Sequence, residues 1–205
     1  MFENRIKAGE LLGSRLSLYK ESNSLLAAIP RGGVVVGKAI SDMLKIPLTL
    51  VLTRKIGAPG QSELAIGAVA SGGVIVRDEK LISDLSVSEK YIKNEIKEET
   101  KVMALRQKKY GKCTINLRGK QMILVDDGIA TGATVKAAIA YLRKQKVNKV
   151  ILAVPVAPKD AVEELKPLVD KIIVLDTPDD FSSVGQFYRY FPQVTDEEVV
   201  KLLQQ

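Results

Sequence analysis

The stretch MILVDDGIATGATVKAA, residues 122–138, decides how the rest of the chain is read. Met122–Val125 is a short, wholly apolar run, the signature of a strand buried on both faces. It delivers two adjacent carboxylates, Asp126 and Asp127, into a segment of small residues: Gly128, Ala130, Gly132 and Ala133. From Thr134 to Gln145 the pattern is helical. A strand that ends in a small-residue loop and opens a helix suits an anion. The first N–H groups of the helix are unpaired and carry partial positive charge, and small residues let a ligand approach the backbone. Thr131 and Thr134 add hydroxyl donors. Two carboxylates do not belong beside a phosphate unless they hold something else, namely sugar hydroxyls, a magnesium ion or both. The competing reading is an acidic turn capping an ordinary helix. The loop is not a Walker A loop, since no Gly-Lys-Ser/Thr follows its glycine, and it is not G-x-G-x-x-G.

Upstream, Leu25–Ile29 is a second short apolar run, ending at Pro30-Arg31-Gly32-Gly33. Val34–Leu44 is helix-periodic and Pro47–Thr53 is apolar and β-branched, which completes one βαβ unit. Arg31 offers a fork matched to phosphate oxygens, and Gly32 allows close backbone approach. A plain tight turn with a surface arginine is the alternative there. Downstream, Lys149–Val156 predicts a strand, Ala161–Leu165 a helix and Lys171–Leu175 a strand. The alternation predicts an α/β fold: a doubly wound, mainly parallel sheet with helices on both faces. Ligands of such sheets bind at the carboxyl ends of strands.

The remaining segments are more varied. Residues 4–20 carry Ile6, Leu11, Leu12, Leu16 and Leu18 at roughly helical spacing. Arg54–Leu64, with Gly57, Pro59 and Gly60, reads as a loop. Ala65–Ala70 and Val74–Val76 read as a hairpin around Ser71-Gly72-Gly73. Ser88–Lys109 predicts a long charged helix with a narrow stripe through Ile92, Ile96, Met103 and Tyr110. The tail holds Phe181, Phe187, Tyr188, Tyr190 and Phe191, then a helix over Asp196–Leu202 with Thr195 as N-cap. No repeat, low-complexity tract or linker interrupts the chain, so residues 1–205 read as a single domain with its core at about 22–176.

Composition narrows the class. At 205 residues the chain can fill a core, and 46% hydrophobic with 27% charged residues is ordinary for a globular protein. No stretch approaches the ~18–20 apolar residues of a membrane span. The charged N-terminus does not read as a signal peptide, and the expected compartment is cytoplasmic. Cys113, the one cysteine, cannot form an intrachain disulfide, and the absence of histidine all but excludes zinc. Any metal must then be held by oxygen, which points to magnesium or calcium. The net charge of +7 suits either nucleic acid or a highly phosphorylated small molecule. Aromatics are 5% with no tryptophan, a poor supply for stacking single strands. The helix over 88–109 carries Lys90, Lys93, Lys97, Lys101, Arg106, Lys108 and Lys109. Glu89, Glu95, Glu98 and Glu99 interleave with them, as on a solvated helix with i,i+4 pairs.

VDDGIATGAT resembles the signature of type I phosphoribosyltransferases, and the likeness extends more loosely over the whole chain. It implies that Asp126 and Asp127 contact the ribose 2′- and 3′-hydroxyls. The loop through Gly128, Ile129, Ala130, Thr131, Gly132, Ala133 and Thr134 would wrap the 5′-phosphate of phosphoribosyl pyrophosphate. The turn at Arg31, Gly32 and Gly33, similar to that of the xanthine–guanine branch, would bind pyrophosphate, with Arg54 or Lys55 neutralising it. The implied catalytic set is Asp126, Asp127, Arg31 and Lys55, with Mg2+ at Asp126 and Asp127, directly or indirectly. Residues 54–78, Gly57–Gly73 within them, would form a flexible hairpin flap. A C-terminal hood over 177–205 would offer Phe181, Phe187 and Tyr188 to a base, unless these rings simply pack the tail.

The implied reaction is attack of a nitrogen nucleophile, a nucleobase above all, on C1 of the ribose with loss of pyrophosphate. One departure is informative. Enzymes for 6-oxopurines carry an aspartate three residues after the second acid, where this chain has Ala130, so hypoxanthine and guanine are disfavoured acceptors. The expected partners are phosphoribosyl pyrophosphate and a small-molecule acceptor rather than nucleic acid or membrane, with a homodimer left open. Two rivals stand beside this: a regulator that senses phosphoribosyl pyrophosphate and binds nucleic acid, and a dinucleotide-binding enzyme, which lacks its glycine fingerprint here.

Overall fold

The structure is a computed structural model and describes residues 1–111 and 115–204; Cys113 lies outside the described residues. The chain begins with α1 (Arg5–Arg15), β1 (Ser24–Ala28), α2 (Gly32–Leu44) and β2 (Leu48–Leu50). A middle block holds β3 (Thr53–Ala58), β4 (Gln61–Ala70), β5 (Val74–Arg77), α3 (Glu79–Asp84) and α4 (Glu89–Tyr110). The second half runs β6 (Gln121–Val125), α5 (Ala133–Lys144), β7 (Lys149–Val156), α6 (Lys159–Leu165), β8 (Lys171–Asp176) and α7 (Asp196–Gln204).

Five strands form one all-parallel sheet in the order β2-β1-β6-β7-β8. Side chains alternate across it with period two. Leu26, Ile123, Val125, Ile151 and Ala153 face Leu12 of α1, Leu16 just after it, and Val36, Ile40 and Leu44 of α2. Leu25, Ala27, Met122, Leu124 and Leu152 face Val135, Ile139 and Leu142 of α5 and Leu165 of α6. Covering both faces is what makes the strands read as continuous apolar runs, and the doubly wound α/β expectation holds. Among the described residues, no helix is long and apolar enough to cross a membrane.

The middle block differs from its expectation. Residues 54–64 are not a loop: β3 and β4 pair antiparallel around the turn at Pro59-Gly60, and β5 adds a third strand. The glycines that suggested a loop serve strand contact and turning. A β-carbon on Gly57 would stand 2.8 Å from the Ser62 Cα, and Gly60 has φ +73°. Most of the expected flap is also packed. Ile66 and Val69 share a core with Ile82, Ile92 and Met103, and Ala68 and Ala70 lie against Ala137 of α5. Exposure falls at the tip, Pro59–Glu63, and again at Gly72, Gly73, Ile75 and Asp78 toward the far end of the block. The α4 stripe of Ile92, Ile96, Met103 and Tyr110 packs into this block, as its spacing predicts.

The α1 stripe is also corrected. Ile6, Leu11 and Leu18 are exposed, while Arg5, Ala8, Gly9, Leu12 and Gly13 form the buried face. The helix approaches α2 so closely that a β-carbon on Gly9 would meet the Val36 carbonyl oxygen at 2.7 Å. Thr195 does cap α7: its Oγ1 accepts from the Glu198 N–H at 3.1 Å, and Glu198 Oε2 accepts from the Thr195 N–H at 2.7 Å.

Candidate active site

β1 and β6 are neighbours, and the chain leaves them toward opposite edges: from β1 through α2 to β2, from β6 through α5 to β7 and β8. A switch of this kind opens a crevice at the strand ends. Ala28 pairs in register with Val125, so the turn after β1 and the loop after β6 start side by side. The Ile29 N–H donates to the Val125 carbonyl at 2.9 Å.

Two glycines bring the loops into contact. A β-carbon on Gly32 would fall 1.8 Å from Asp127 Oδ2, and one on Gly33 would fall 2.9 Å from the Asp126 Cα. Any side chain at Gly32 would occupy the place of the Asp127 carboxylate, so glycine is required there for close approach. The arginine–glycine turn and the acidic pair, distant in the chain, thus form one surface.

The acidic pair is held from several sides. The Asp127 N–H donates to Asp126 Oδ1 at 2.9 Å. Burial, and then the neighbouring charge of Asp127, push the Asp126 carboxyl well above the usual carboxylate range. Arg5, at the start of α1, donates from Nε to Asp127 Oδ2 at 2.7 Å and from a terminal nitrogen to the Pro192 carbonyl at 2.8 Å. Its guanidinium lies 3.6 Å from the centre of the Phe191 ring. The Tyr188 hydroxyl donates to the Asp127 carbonyl at 2.6 Å. Burial, followed by the Asp127 charge, raises that phenol far above its ordinary value.

The following loop divides its residues. Ile129 points into the core and Gly132, with φ +73°, is buried, while Ala130 and Thr131 are exposed and Gly128, Ala133 and Thr134 are half-buried. A β-carbon on Gly128 would meet Val184 Cγ1 at 2.5 Å, so the tail closes over this glycine. A cleft of about 660 Å³ opens beside the loop, with Ala130, Thr131 and Lys136 on one side and Gly67 and Arg77 on the other.

The expected cations are distributed unevenly. Arg31 precedes α2 at the turn and directs its guanidinium to Asp196 of α7, at 3.9 Å. Arg54 is forked onto Glu99 of α4 at 2.5 and 3.2 Å. Lys55 bonds Glu63 across the β3–β4 hairpin at 2.7 Å. The fold therefore brings Arg31, Gly32, Gly33, Asp126 and Asp127 together, and holds Arg54 and Lys55 on carboxylates of the middle block.

Four tail aromatics, Phe181, Phe187, Tyr188 and Phe191, form a cluster with Phe2 and Val156, while Tyr190 is exposed. Tyr188 is buried between Phe2 and Phe191, with ring centres 5.4 and 4.9 Å away. Its expected role as an open stacking surface gives way to that of a strut under the acidic loop. Phe181 and Phe187 pair at 5.2 Å and stay half-buried. Arg5 and the Tyr188 hydroxyl are the contacts the sequence reading missed. Their signals were present: an arginine in phase with Ala8 and Leu12, and a tyrosine inside an aromatic run.

A five-stranded parallel sheet with a glycine turn and a carboxylate-bearing loop side by side at its switch point defines a doubly wound α/β protein. The phosphoribosyl transferase domain profile matches residues 3–191, and the chain belongs to that family. A Mycobacterium tuberculosis protein provisionally named as a phosphoribosyl transferase is 36% identical over 205 residues, covering 99% of this chain and 46% of the relative. The chain thus spans about half the length of the curated relatives it matches. The crystal structure of TT1426 from Thermus thermophilus superposes with a TM-score of 0.82 at 36% identity, covering 99% of this chain and 97% of that one. The purine phosphoribosyltransferase of Pyrococcus horikoshii shares the fold, at a TM-score of 0.50 and 15% identity over 92% of this chain and 90% of its own.

Proposed function

We propose that the chain is a phosphoribosyltransferase that moves the 5-phosphoribosyl group from phosphoribosyl pyrophosphate to a nitrogen nucleophile, nucleobases being the leading class. The carrying observation is the contact of Gly32 with the Asp127 carboxylate. A substrate with phosphate at both ends and hydroxyls between them matches two anion-suited turns with a carboxylate pair at their meeting point. Asp126 and Asp127 would take the ribose hydroxyls. The exposed Thr131, with Thr134 and the backbone around them, would take the 5′-phosphate. Arg31 and the N–H groups of Gly32 and Gly33 would take the diphosphate.

The C1–O bond to the diphosphate breaks, its electron pair leaving with pyrophosphate, as the C1–N bond forms, and the acceptor nitrogen gives its proton to solvent. These residues contribute positioning and fixed charge rather than a covalent intermediate. Arg54 and Lys55 would join only by exchanging Glu99 and Glu63 for phosphate. Mg2+ is compatible with the donor set, because it is commonly bound through one or two carboxylates plus phosphate oxygens. Among the described residues, no cluster of three or more acidic, cysteine or histidine side chains is ready to hold a metal. The ion would therefore arrive with the diphosphate beside Asp126 and Asp127, and when bound it supplies charge neutralisation on the leaving group.

On the acceptor side, Ala130 is exposed at the loop and presents no carboxylate to a purine ring. This supports an acceptor other than hypoxanthine or guanine. The test is pyrophosphate release from phosphoribosyl pyrophosphate and magnesium with a panel of bases and amines. Release with at least one acceptor, slow for hypoxanthine and guanine, is expected. No release with any acceptor, together with no binding of phosphoribosyl pyrophosphate, overturns the reading.

A further inference from the structure

Beside the arginine–glycine turn, three side chains, two from α4 and one from the turn itself, converge on one atom, Asp196 Oδ1. The Tyr110 hydroxyl of α4 donates to it at 2.5 Å, Arg106 Nε of α4 stands 3.6 Å away and a terminal nitrogen of Arg31 stands 3.9 Å away. Asp196 is the first residue of α7, and α7 packs through Val199 on Val34 of α2 and against Tyr110. The three charged side chains are withdrawn from bulk water, with Arg106 at 18%, Asp196 at 22% and Arg31 at 27% exposure.

A plain fastening of α7 needs one good ion pair. Here neither guanidinium reaches hydrogen-bond distance, and two positive charges share a single negative one. The phenol already donates to that same oxygen. The cluster is thus under-supplied with negative charge. A diphosphate brings more of it, and fits forked guanidinium donors well.

We propose that Arg106 and Tyr110 belong with Arg31 to the diphosphate-binding site, and that Asp196 occupies this site as an internal carboxylate which the incoming diphosphate displaces. The inference rests on the assignment of the Arg31 turn to the diphosphate end of the substrate. It adds α4 and α7 to the site. Arg106 and Tyr110 become diphosphate ligands, and Asp196 becomes a competitor that sets how tightly a diphosphate binds. With no diphosphate present, Asp196 screens the two arginines from each other and holds α7 in place. On binding, Asp196 gives up the arginines while the Thr195–Glu198 cap keeps the helix start intact.

The experiment is calorimetric titration of the whole chain with two separate probes, inorganic pyrophosphate and ribose 5-phosphate, each with magnesium. Asp196→Asn keeps an oxygen for the Tyr110 hydroxyl and removes the charge. It is expected to bind pyrophosphate about three- to tenfold tighter, the scale of one partly buried ion pair. Arg106→Gln is expected to weaken pyrophosphate binding about three- to tenfold. Neither change alters ribose 5-phosphate affinity. Folded Asp196→Asn with unchanged or weaker pyrophosphate binding overturns the proposal, as does Arg106→Gln with wild-type affinity. So does an equal change for both probes, which marks a general structural role. If Asp196→Asn does not fold, the Arg106→Gln result decides. A wild type that binds both probes while the variants stay flat sinks this inference alone, whereas a wild type that binds neither sinks the proposed function with it.

Discussion

Arg5 Nε donates to Asp127 Oδ2 at 2.7 Å, joining residues 122 positions apart in the chain. The same guanidinium reaches the Pro192 carbonyl and stacks on Phe191. One buried side chain therefore ties the first helix, the acidic loop and the tail into a single unit. It also sets a positive charge directly beside the carboxylate that touches the Gly32 turn.

Removing that charge leaves a partly buried carboxylate without its counter-ion. Arg5→Gln is expected to cost about 3–4 kcal/mol of stability, in the lower part of the range for breaking a buried pair. It should also weaken magnesium-dependent binding of phosphoribosyl pyrophosphate by about tenfold or more, through loss of Asp127 orientation. Urea unfolding and titration measure the two effects. Arg5→Lys restores the charge but not the second bond to Pro192, so it should recover only part of each. Wild-type stability in Arg5→Gln would contradict the role given to this residue.

Gly32→Ala probes the contact between the two loops. Its methyl group would stand 1.8 Å from Asp127 Oδ2, so either the turn or the carboxylate must move. Overpacking of this kind costs about 1–3 kcal/mol, or about 2–10 °C of melting temperature for a chain of this size. Phosphoribosyl pyrophosphate binding should fall at least about tenfold, because the ribose and diphosphate contacts lose their mutual spacing. A variant that melts and binds like the wild type would show that the two loops do not act together.

The sheet and the two loops at its strand ends were legible in the sequence because their signals are local. Met122–Val125 and Leu25–Ile29 are uniformly apolar, and the residues after each are small or charged. The middle block was not. The register of β3 and β4 shifts around Ile56 and Gly57, which breaks strand periodicity, and the packing of the sheet on α4 and α5 is a long-range property. The α1 stripe was misphased for a related reason: its buried face is built from Ala8, Gly9 and Gly13, small because α2 lies so close. Local apolar spacing therefore favoured Ile6, Leu11 and Leu18, which face water. Arg31, Gly32, Asp126 and Asp127 could be picked from their motifs. The partners that fix them, Arg5, Tyr188 and Asp196, lie far away in sequence and carry no motif.

Asp170 gives a pH-dependent prediction away from the site. Its carboxylate accepts from the Val150 N–H at 2.8 Å and pairs with Arg143 at 2.8 Å. The backbone bond, then Arg143, hold its pKa below the ordinary aspartate value. A depressed folded pKa means the unfolded chain binds the proton more readily. The stabilisation is therefore present above the unfolded aspartate pKa and lost as pH falls through the folded one. The carboxylate is more than a third exposed, so solvent screening limits the effect to below about 1 kcal/mol. Asp170→Asn should lower stability at pH 7 and converge with the wild type in acid, as chemical denaturation at the two pH values would measure. A gap that widens on acidification would reverse the assignment.

Asp127→Asn separates the two ends of the proposed substrate by the sign of its effects. The amide keeps the shape of the side chain and an oxygen that can accept from Arg5 Nε, so the fold should survive with a modest loss of melting temperature. What disappears is the negative charge between the arginine–glycine turn and the loop proposed to hold the 5′-phosphate. The Arg5 cation is then uncompensated, which favours any bare anion nearby. Ribose hydroxyls, by contrast, lose a charged acceptor, and a bound magnesium loses a carboxylate. Magnesium-dependent binding of phosphoribosyl pyrophosphate should therefore drop by about 100-fold or more, while binding of inorganic phosphate holds or tightens. Calorimetry with each ligand, alongside circular dichroism to establish folding, reads both. Loss of the two affinities together would mean that the substitution merely disorders the loop. A folded variant that keeps wild-type affinity for phosphoribosyl pyrophosphate would remove Asp127 from the site.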